Sequence, residues 1–498
     1  MPIKLGLATK AVKKAAVKKA VKKAVKKVAR PEAPTIDLYS GILGQVEKLV
    51  GSADEMEDTE LLSHGSLCMD LAVGGGILPS LNINSGLEQT AKTTNMFHTM
   101  GEAIAAEIPI IAFFDSEGSS KNSVPYITSI LNGVGVKMTR EQLFGKKDSE
   151  GRVVHAGRVY YRTVTRGKIF FNWLTATLLR LPDKLKIGDK WYLKYEKVKA
   201  NLHLAQYHDK SVKNNDGIYI PAPNGKLQGI VFIDSWAGLN PDAKDEDEGD
   251  NSLASQARMF SAGLKRFKGM LAAKKVAVLG TNQLSAIPMA MYGPKEDEKG
   301  GNALKYMSDV RTRHTKRSIN SAPLWPTPSK KKPGCEVEPG LNGGVDAYSY
   351  VSVKTHKNKL LAPAGREIWQ RIWLHDSRDG KAKGIDPVFD TIYYLYLTGQ
   401  LIAGGRDARN RMVLNLDKHG KSTKTITWAE LKRWILDPRS CAAEICQKHG
   451  LGKPFPIRQW CKKQVLSGRG DELYTALESA STKQLPKDQT AELHNEEE

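Results

Sequence analysis

LNINSGLEQTAKTT (residues 81–94) carries a short strand-like segment into a glycine-started turn and then into Lys92, Thr93 and Thr94. The turn has the spacing G-x-x-x-x-A-K-T, with Gly86 at its start and Ala91-Lys92-Thr93 at its end. In a phosphate-binding loop of this kind, backbone N–H groups wrap the phosphates, the lysine reaches the outer ones and the hydroxyl binds Mg²⁺. A helix that follows adds its positive N-terminal end. Gly86, Leu87, Glu88, Gln89, Thr90, Ala91, Lys92, Thr93 and Thr94 are therefore the candidate phosphate-binding residues. The implied cofactors are ATP and Mg²⁺. One position departs from the pattern: Ala91 stands where glycine is usual. An alanine there is expected to need φ below zero and a Cβ that clears the phosphates.

Three further apolar runs end in polar residues. IPIIAFFDSE (108–117) ends in Asp115 and Glu117, GIVFIDS (229–235) contains Asp234, and KKVAVLGTNQ (274–283) ends in Asn282 and Gln283. Runs this short and this apolar read as buried parallel strands. Ligands of an open α/β sheet bind beyond the carboxyl ends of such strands. The expected fold is α/β with a mostly parallel central sheet, and one crevice gathers the loop, the acids and the amides. A chance match to the loop is the competing reading; Asp234 after a downstream strand argues against it. Thr93 and Asp234 are the candidate Mg²⁺ residues, the latter through water. Glu117, just past a strand end, is the candidate to orient and deprotonate a water. A surface loop carboxylate is its plain alternative.

Around this site the chain resembles the bacterial RecA recombinase family, with a phage-type relative as the implied kind. GSLCMDLAVGGGILP (65–79) resembles the segment before the family's phosphate loop. GIVFIDSWAGLNP (229–241) and LGTNQ (279–283) resemble its second nucleotide strand and the strand ending in its sensor glutamine. GGNALKYMSDVR (300–311) is similar to the string that closes the family's second DNA loop, and VKTHKNKLLAP (353–363) to the segment that sends two lysines into the neighbouring subunit's ATP. ILGQVEKLVG (42–51) is similar to its N-terminal polymerisation helix. The motifs keep the family's order over roughly residues 36–440.

The resemblance implies a DNA-dependent ATPase of the recombinase type, with a RecA-like core and a small C-terminal α/β domain. It implies roles for Gln283 as γ-phosphate sensor and for Lys357 and Lys359, expected to point the same way on an extended strand, as cations supplied in trans. Tyr126 is implied as an adenine-stacking residue. Arg258, Met291, Tyr292, Gly300, Gly301 and Asn302 are the implied DNA-binding residues. The apolar and aromatic loop 284–299 can separate stacked bases without reading sequence, and its two closing glycines allow close approach to phosphate. A first DNA loop near residues 250–253 adjoins the acidic DAKDEDEGD, along which DNA cannot lie closely without cost.

Charge is distributed unevenly. The 498-residue chain carries a formal +21, and residues 1–30 hold ten lysines and one arginine without an acid. Lysines so dense repel one another, so residues 1–31 read as a disordered basic tail that suits a polyanion such as nucleic acid. A solubility or processing segment is the alternative. The remaining divisions are residues 32–62 (linker and polymerisation helix), 63–375 (ATPase core with insertions near 181–228 and 318–345), 376–480 (C-terminal domain) and 481–498 (polar and acidic end). Cysteines 68, 335, 441, 446 and 461 lack zinc spacing and are odd in number, which fits a reducing cytoplasm, bacterial or that of a phage-infected host. No apolar run spans a membrane.

The expected partners are single- and double-stranded DNA, further copies of the chain in a helical filament, and recombination mediator or single-strand-binding proteins. Two other readings stay open: a hexameric helicase on the same fold, and a protein that coats or anneals single strands and binds ATP with little turnover.

Overall fold

The computed structural model describes residues 61–150, 152–222, 227–241, 252–286, 296–317, 348–373, 383–403, 411–415, 423–436 and 456–469. The basic tail, the helix expected within 36–49, the loop tip with Met291 and Tyr292, and the Pro-rich insertion within 318–345 lie outside these residues.

In chain order the first elements are α1 (Leu67–Val73), β1 (Leu81–Gly86), α2 (Lys92–Ala105), β2 (Ile110–Asp115), α3 (Val124–Gly133), β3 (Tyr160–Thr163) and α4 (Gly167–Arg180). The insertion supplies β4 (Asp183–Ile187), β5 (Lys190–Tyr195) and β6 (Ile218–Pro221). The core resumes with β7 (Gly229–Asp234), α5 (Ser252–Ala273), β8 (Val276–Ala286), β9 (Glu296–Glu298), α6 (Asn302–Met307) and β10 (Val310–Arg317). Then come β11 (Tyr348–Asn358), β12 (Glu367–Trp373), β13 (Gly384–Ile385) and α7 (Pro387–Leu397). The last are β14 (Leu401–Ala403), β15 (Arg411–Asn415), β16 (Thr423–Thr427), α8 (Trp428–Leu436) and α9 (Ile457–Gln464).

One sheet organises the molecule, in the order β13-β12-β11-β10-β1-β8-β7-β2-β3. From β10 to β3 every neighbouring pair is parallel, whereas β10 through β13 pair antiparallel. The apolar runs have no polar face because both faces are covered. Side-chain alternation sorts each run between two cores. Ile111, Phe113, Ile230, Phe232, Ala277 and Leu279 pack with Met96, Phe97 and Met100 of α2 and Ile127 and Ile130 of α3. Ala112, Phe114, Val231, Ile233, Val276 and Val278 pack with Phe170, Phe171 and Leu174 of α4 and Phe260, Leu264 and Phe267 of α5.

A third core joins the two ends of the described chain. Leu67 and Leu71 of α1 meet Val351 and Val353 of β11, Ile368 of β12, Ile392 and Tyr394 of α7, Trp434 of α8 and Cys461 of α9. Asp390 of α7 is its polar hinge. Only 1% exposed, it accepts from Ser66 Oγ at 2.6 Å, from the Leu67 and Cys68 amides at 2.8 and 3.2 Å, and from Arg458 Nη1 at 2.8 Å. The carboxylate thus satisfies free N–H groups at the start of α1. Asp386 does the same for α7, accepting from Val388 N at 2.9 Å, with Pro387 at the first helical turn as the helix start allows.

The insertion near 181–228 folds as the three-stranded antiparallel sheet β4-β5-β6. Gln228 and Lys274, just ahead of β7 and β8, tie it down through bonds to Pro182 O (3.1 Å) and Leu181 O (2.8 Å). These contacts lie at the amino ends of the core strands, away from the crevice at their carboxyl ends. No described helix is long and apolar enough to cross a membrane.

Candidate active site

The candidate phosphate loop turns sharply between β1 and α2. Gly86 is required where it stands, because a Cβ there would lie 2.6 Å from His314 O and 2.6 Å from Thr90 Oγ1. Beyond it Gln89 and Ala91 have φ of 57° and 60°, flanking Thr90. Such alternation of backbone hand is the pattern from which anion-binding nests are built. Leu87, Glu88 and Gln89 are exposed, and Thr90 is buried. The expectation of negative φ at Ala91 is therefore corrected: it occupies the left-handed region, where a Cβ crowds the following carbonyl.

That strain has a measurable consequence. The left-handed conformation costs an L-residue about 1–2 kcal/mol, and the extra freedom glycine brings to the unfolded chain costs about 0.4–1 kcal/mol. Ala91→Gly is expected to stabilise the fold by about 0.5–1 kcal/mol. Urea unfolding would show a higher midpoint at unchanged slope. A lower midpoint would mean that the alanine methyl makes contacts worth more than the strain.

Lys92 opens α2 and folds back, donating to Leu87 O and, at 3.4 Å, to Thr90 Oγ1. Burial lowers its pKa, while Asp234, Glu117 and Glu88 act to raise it. Beneath it the buried His314 is held neutral, its pKa pushed down to about 3 by burial and then by Lys92 and His64. Thr93 Oγ1 donates to Asp234 Oδ2 at 3.0 Å, and Thr281 donates to Oδ1 of the same carboxylate. Burial raises the Asp234 pKa, Glu117 and Asp115 raise it further, and the two threonine hydroxyls oppose them. A carboxylate so placed favours a cation beside it.

The two acids after β2 have different work. Asp115 is fully buried and accepts from Gly118 N (2.7 Å), Ser120 N (2.9 Å) and Tyr161 OH (2.9 Å), so it shapes the turn. Glu117 is exposed to the crevice. Its Oε1 accepts from Ser235 Oγ at 2.6 Å and from Gln283 Nε2 at 3.0 Å. The register Asp115↔Asp234 and Gly86↔Gln283 brings the strand ends level. Among the described residues no cluster of three or more His, Cys, Asp or Glu is placed to hold a metal. A cation here would draw on Thr93, on Asp234 behind it and on phosphate oxygens, a donor set that suits Mg²⁺.

β8 continues past Gln283 and pairs antiparallel with β9, Leu284↔Glu298 and Ala286↔Glu296. This hairpin is the stem of the candidate DNA loop. Gly300 and Gly301 follow with φ of 92° and 71°. Their close approach is to helices of this chain: a Cβ would meet Phe260 and Leu304 at Gly300, and Ala257 at Gly301. Asn302 starts α6 and is exposed, as is Arg258 on α5.

Tyr126 packs on α2, its hydroxyl 2.7 Å from Thr94 Oγ1 and its ring edge-on to Phe97 at 6.5 Å. Lys357 and Lys359 do not share an extended strand. The pairing of β11 shifts between Arg311 and Thr312 so that His356 bulges, and the strand ends at Asn358. Lys357 Nζ donates to Lys305 O (2.7 Å) and Tyr306 O (2.8 Å) at the end of α6. Its pKa falls to about 8 through burial, then through repulsion by Lys359, Lys268 and Arg311. Lys359 is exposed. Ser235, Thr281 and Lys299 were missed as site residues. Only their adjacency to Asp234, to Asn282-Gln283 and to the glycine pair could have marked them.

Residues 223–322 match the family model described as RecA N-terminal domain. The chain is 31% identical to Protein RecA of Thermus aquaticus over 177 residues, covering 35% of this chain and 44% of that protein. It is 25% identical to Protein RecA of Methylobacterium sp. (strain 4-46) over 296 residues, covering 56% and 62%. Over 83 residues it is 40% identical to Protein RecA of Bacteroides thetaiotaomicron, covering 16% and 25%. The chain thus spans about half the length of the first of these relatives. These similarities support a RecA-family protein.

Proposed function

We propose that this chain is an ATP-dependent DNA strand-exchange protein that polymerises on single-stranded DNA, pairs it with homologous duplex and exchanges strands. One observation carries this most: a hydrogen-bonded path runs from Glu117 through Gln283 to the stem of the loop at 284–299. A nucleotide site is thereby wired to a loop whose apolar and aromatic composition suits unstacked bases.

Lys92 neutralises the outer phosphates, and the nest of loop N–H groups holds the others. Mg²⁺, when bound, supplies charge neutralisation at the phosphate oxygens, with Thr93 and Asp234 as its residues. Glu117 orients the attacking water and takes its proton, and Gln283 reports the γ-phosphate to the loop stem. Asn302 and Arg258 lie exposed near the loop to meet the DNA backbone, with Gly300 and Gly301 shaping its return. Lys359 is free to reach a neighbour's nucleotide. Lys357 joins it once released from the α6 carbonyls. The basic residues of 1–30 add sequence-independent attraction to phosphate.

A coating protein with little turnover is the second reading, favoured by the strained Ala91 and by Lys92 folded onto Leu87 O. Hydrolysis by the full chain with and without single-stranded DNA, together with pairing between a single strand and homologous duplex, tests both. Stimulated hydrolysis with homologous pairing is expected. Coating without turnover supports the second reading, and duplex unwinding without pairing contradicts both.

A further inference from the structure

The returning strand of the loop stem ends at Glu298, and the side chain of the next residue, Lys299, reaches back into the candidate hydrolytic site. Its Nζ donates to Gln283 Oε1 at 3.1 Å, while Gln283 Nε2 donates to Glu117 Oε1 at 3.0 Å. The backbone fixes the lysine in place: Lys299 N donates to Gln283 O at 3.0 Å, and Asn282 Nδ2 donates to Lys299 O at 2.9 Å. The stem itself is anchored by ion pairs, Glu298 with Arg311 at 3.1 Å, Asp297 with Lys305 and Glu296 with Arg313.

An ammonium only donates, whereas an amide has one accepting and one donating end. Lys299 and the accepting Glu117 carboxylate together fix which way the Gln283 amide points. With Oε1 turned to the ammonium, Nε2 must face the Glu117 carboxylate. The reverse orientation would set N–H against the ammonium and oxygen against the carboxylate. Held in this way, Glu117 Oε1 is occupied by both Ser235 and Gln283.

We propose that Lys299 is a positioning residue that locks Gln283 onto Glu117 in the resting protein and releases it when the loop engages DNA. It restrains hydrolysis until a strand is bound. This rests on the hydrolytic reading of the site. Because the lysine directly follows the loop stem, displacement of the stem moves its ammonium away from Gln283, which is then free to turn toward the nucleotide.

The test compares full-length wild type, Lys299→Met and Lys299→Arg for ATP hydrolysis with and without oligo(dT). Losing a hydrogen bond to a charged group corresponds to about a tenfold change in an equilibrium. Lys299→Met is expected to raise the DNA-free kcat about tenfold, leaving the KM for ATP and the oligo(dT)-stimulated rate near wild type. Lys299→Arg keeps a donor at this position and should restore the low DNA-free rate. Without nucleotide, deuterium exchange over residues 282–286 and 296–300 should be faster in Lys299→Met than in wild type, approaching that of wild type bound to oligo(dT).

An unchanged stimulation ratio with wild-type exchange overturns the proposal. So does a Lys299→Met protein that loses the stimulated rate and raises KM, since that is structural damage. A wild type that oligo(dT) fails to stimulate overturns the hydrolytic reading and this proposal with it. A stimulated wild type beside an unaltered Lys299→Met overturns the proposal alone.

Discussion

Lys92→Ala is expected to remove DNA-stimulated ATP hydrolysis, lowering kcat by roughly 10²- to 10³-fold. Phosphoryl transfer asks a protein mainly for position and charge, and Lys92 is the cation that stands among Asp234, Glu117 and Glu88. With it gone, the loop N–H groups can still meet phosphate, but charge developing on the transferred group loses the cation that this chain places among Asp234, Glu117 and Glu88. The fold should survive, because among the described residues the side chain bonds only to Leu87 O and Thr90 Oγ1 of its own loop. Circular dichroism and the unfolding midpoint should stay near wild type while turnover disappears. Unchanged turnover would place the nucleotide elsewhere.

The largest effect on stability is expected far from that loop, for Asp390→Ala. Truncation leaves the Ser66 hydroxyl, the Leu67 and Cys68 amides and the Arg458 guanidinium without their shared acceptor. Removing one partner of a fully buried ion pair costs about 3–5 kcal/mol; here Asp390 is buried but the Arg458 side chain is 28% exposed, which lowers that cost, while the lost cap on α1 adds to it. Arg458 would retain its bonds to Gly65 O at 3.1 Å and Thr391 Oγ1 at 2.9 Å, which moderates the loss. Denaturant unfolding should show a drop of about 3–5 kcal/mol. A loss below about 1 kcal/mol would mean that water replaces the carboxylate at small cost.

The middle of the central sheet was legible because β1, β2 and β7 are buried on both faces. IIAFFD and GIVFID are apolar throughout, and their alternation assigns Phe113 and Phe114, or Phe232 and Ile233, to opposite cores. The crevice was legible for a related reason: Asp115, Glu117, Asp234 and Gln283 interrupt such runs at their ends. Backbone conformation was less so. Nothing local announces that Ala91 takes the left-handed region, since the surrounding turn overrides the residue's preference. The glycine pair was read as an approach to phosphate, whereas Phe260 and Ala257 of α5 occupy the space beside it.

Long-range pairing was the least legible. Ser66 and Asp390 meet across 324 positions of chain, and no periodicity in either segment marks the partner. The bulge at His356 likewise depends on how β11 registers with β10. Spacing alone also cannot give the end of β11 at Asn358, which leaves Lys359 beyond the strand that holds Lys357.

The claim on which the account turns is assembly on DNA under control of the nucleotide. Electron microscopy of the full chain with single-stranded DNA and a slowly hydrolysed ATP analogue tests it most directly. Continuous helical filaments that follow the strand, present with the analogue and lost without nucleotide, are the predicted result. Closed rings threaded on the DNA, or a coat unaffected by nucleotide, would contradict it.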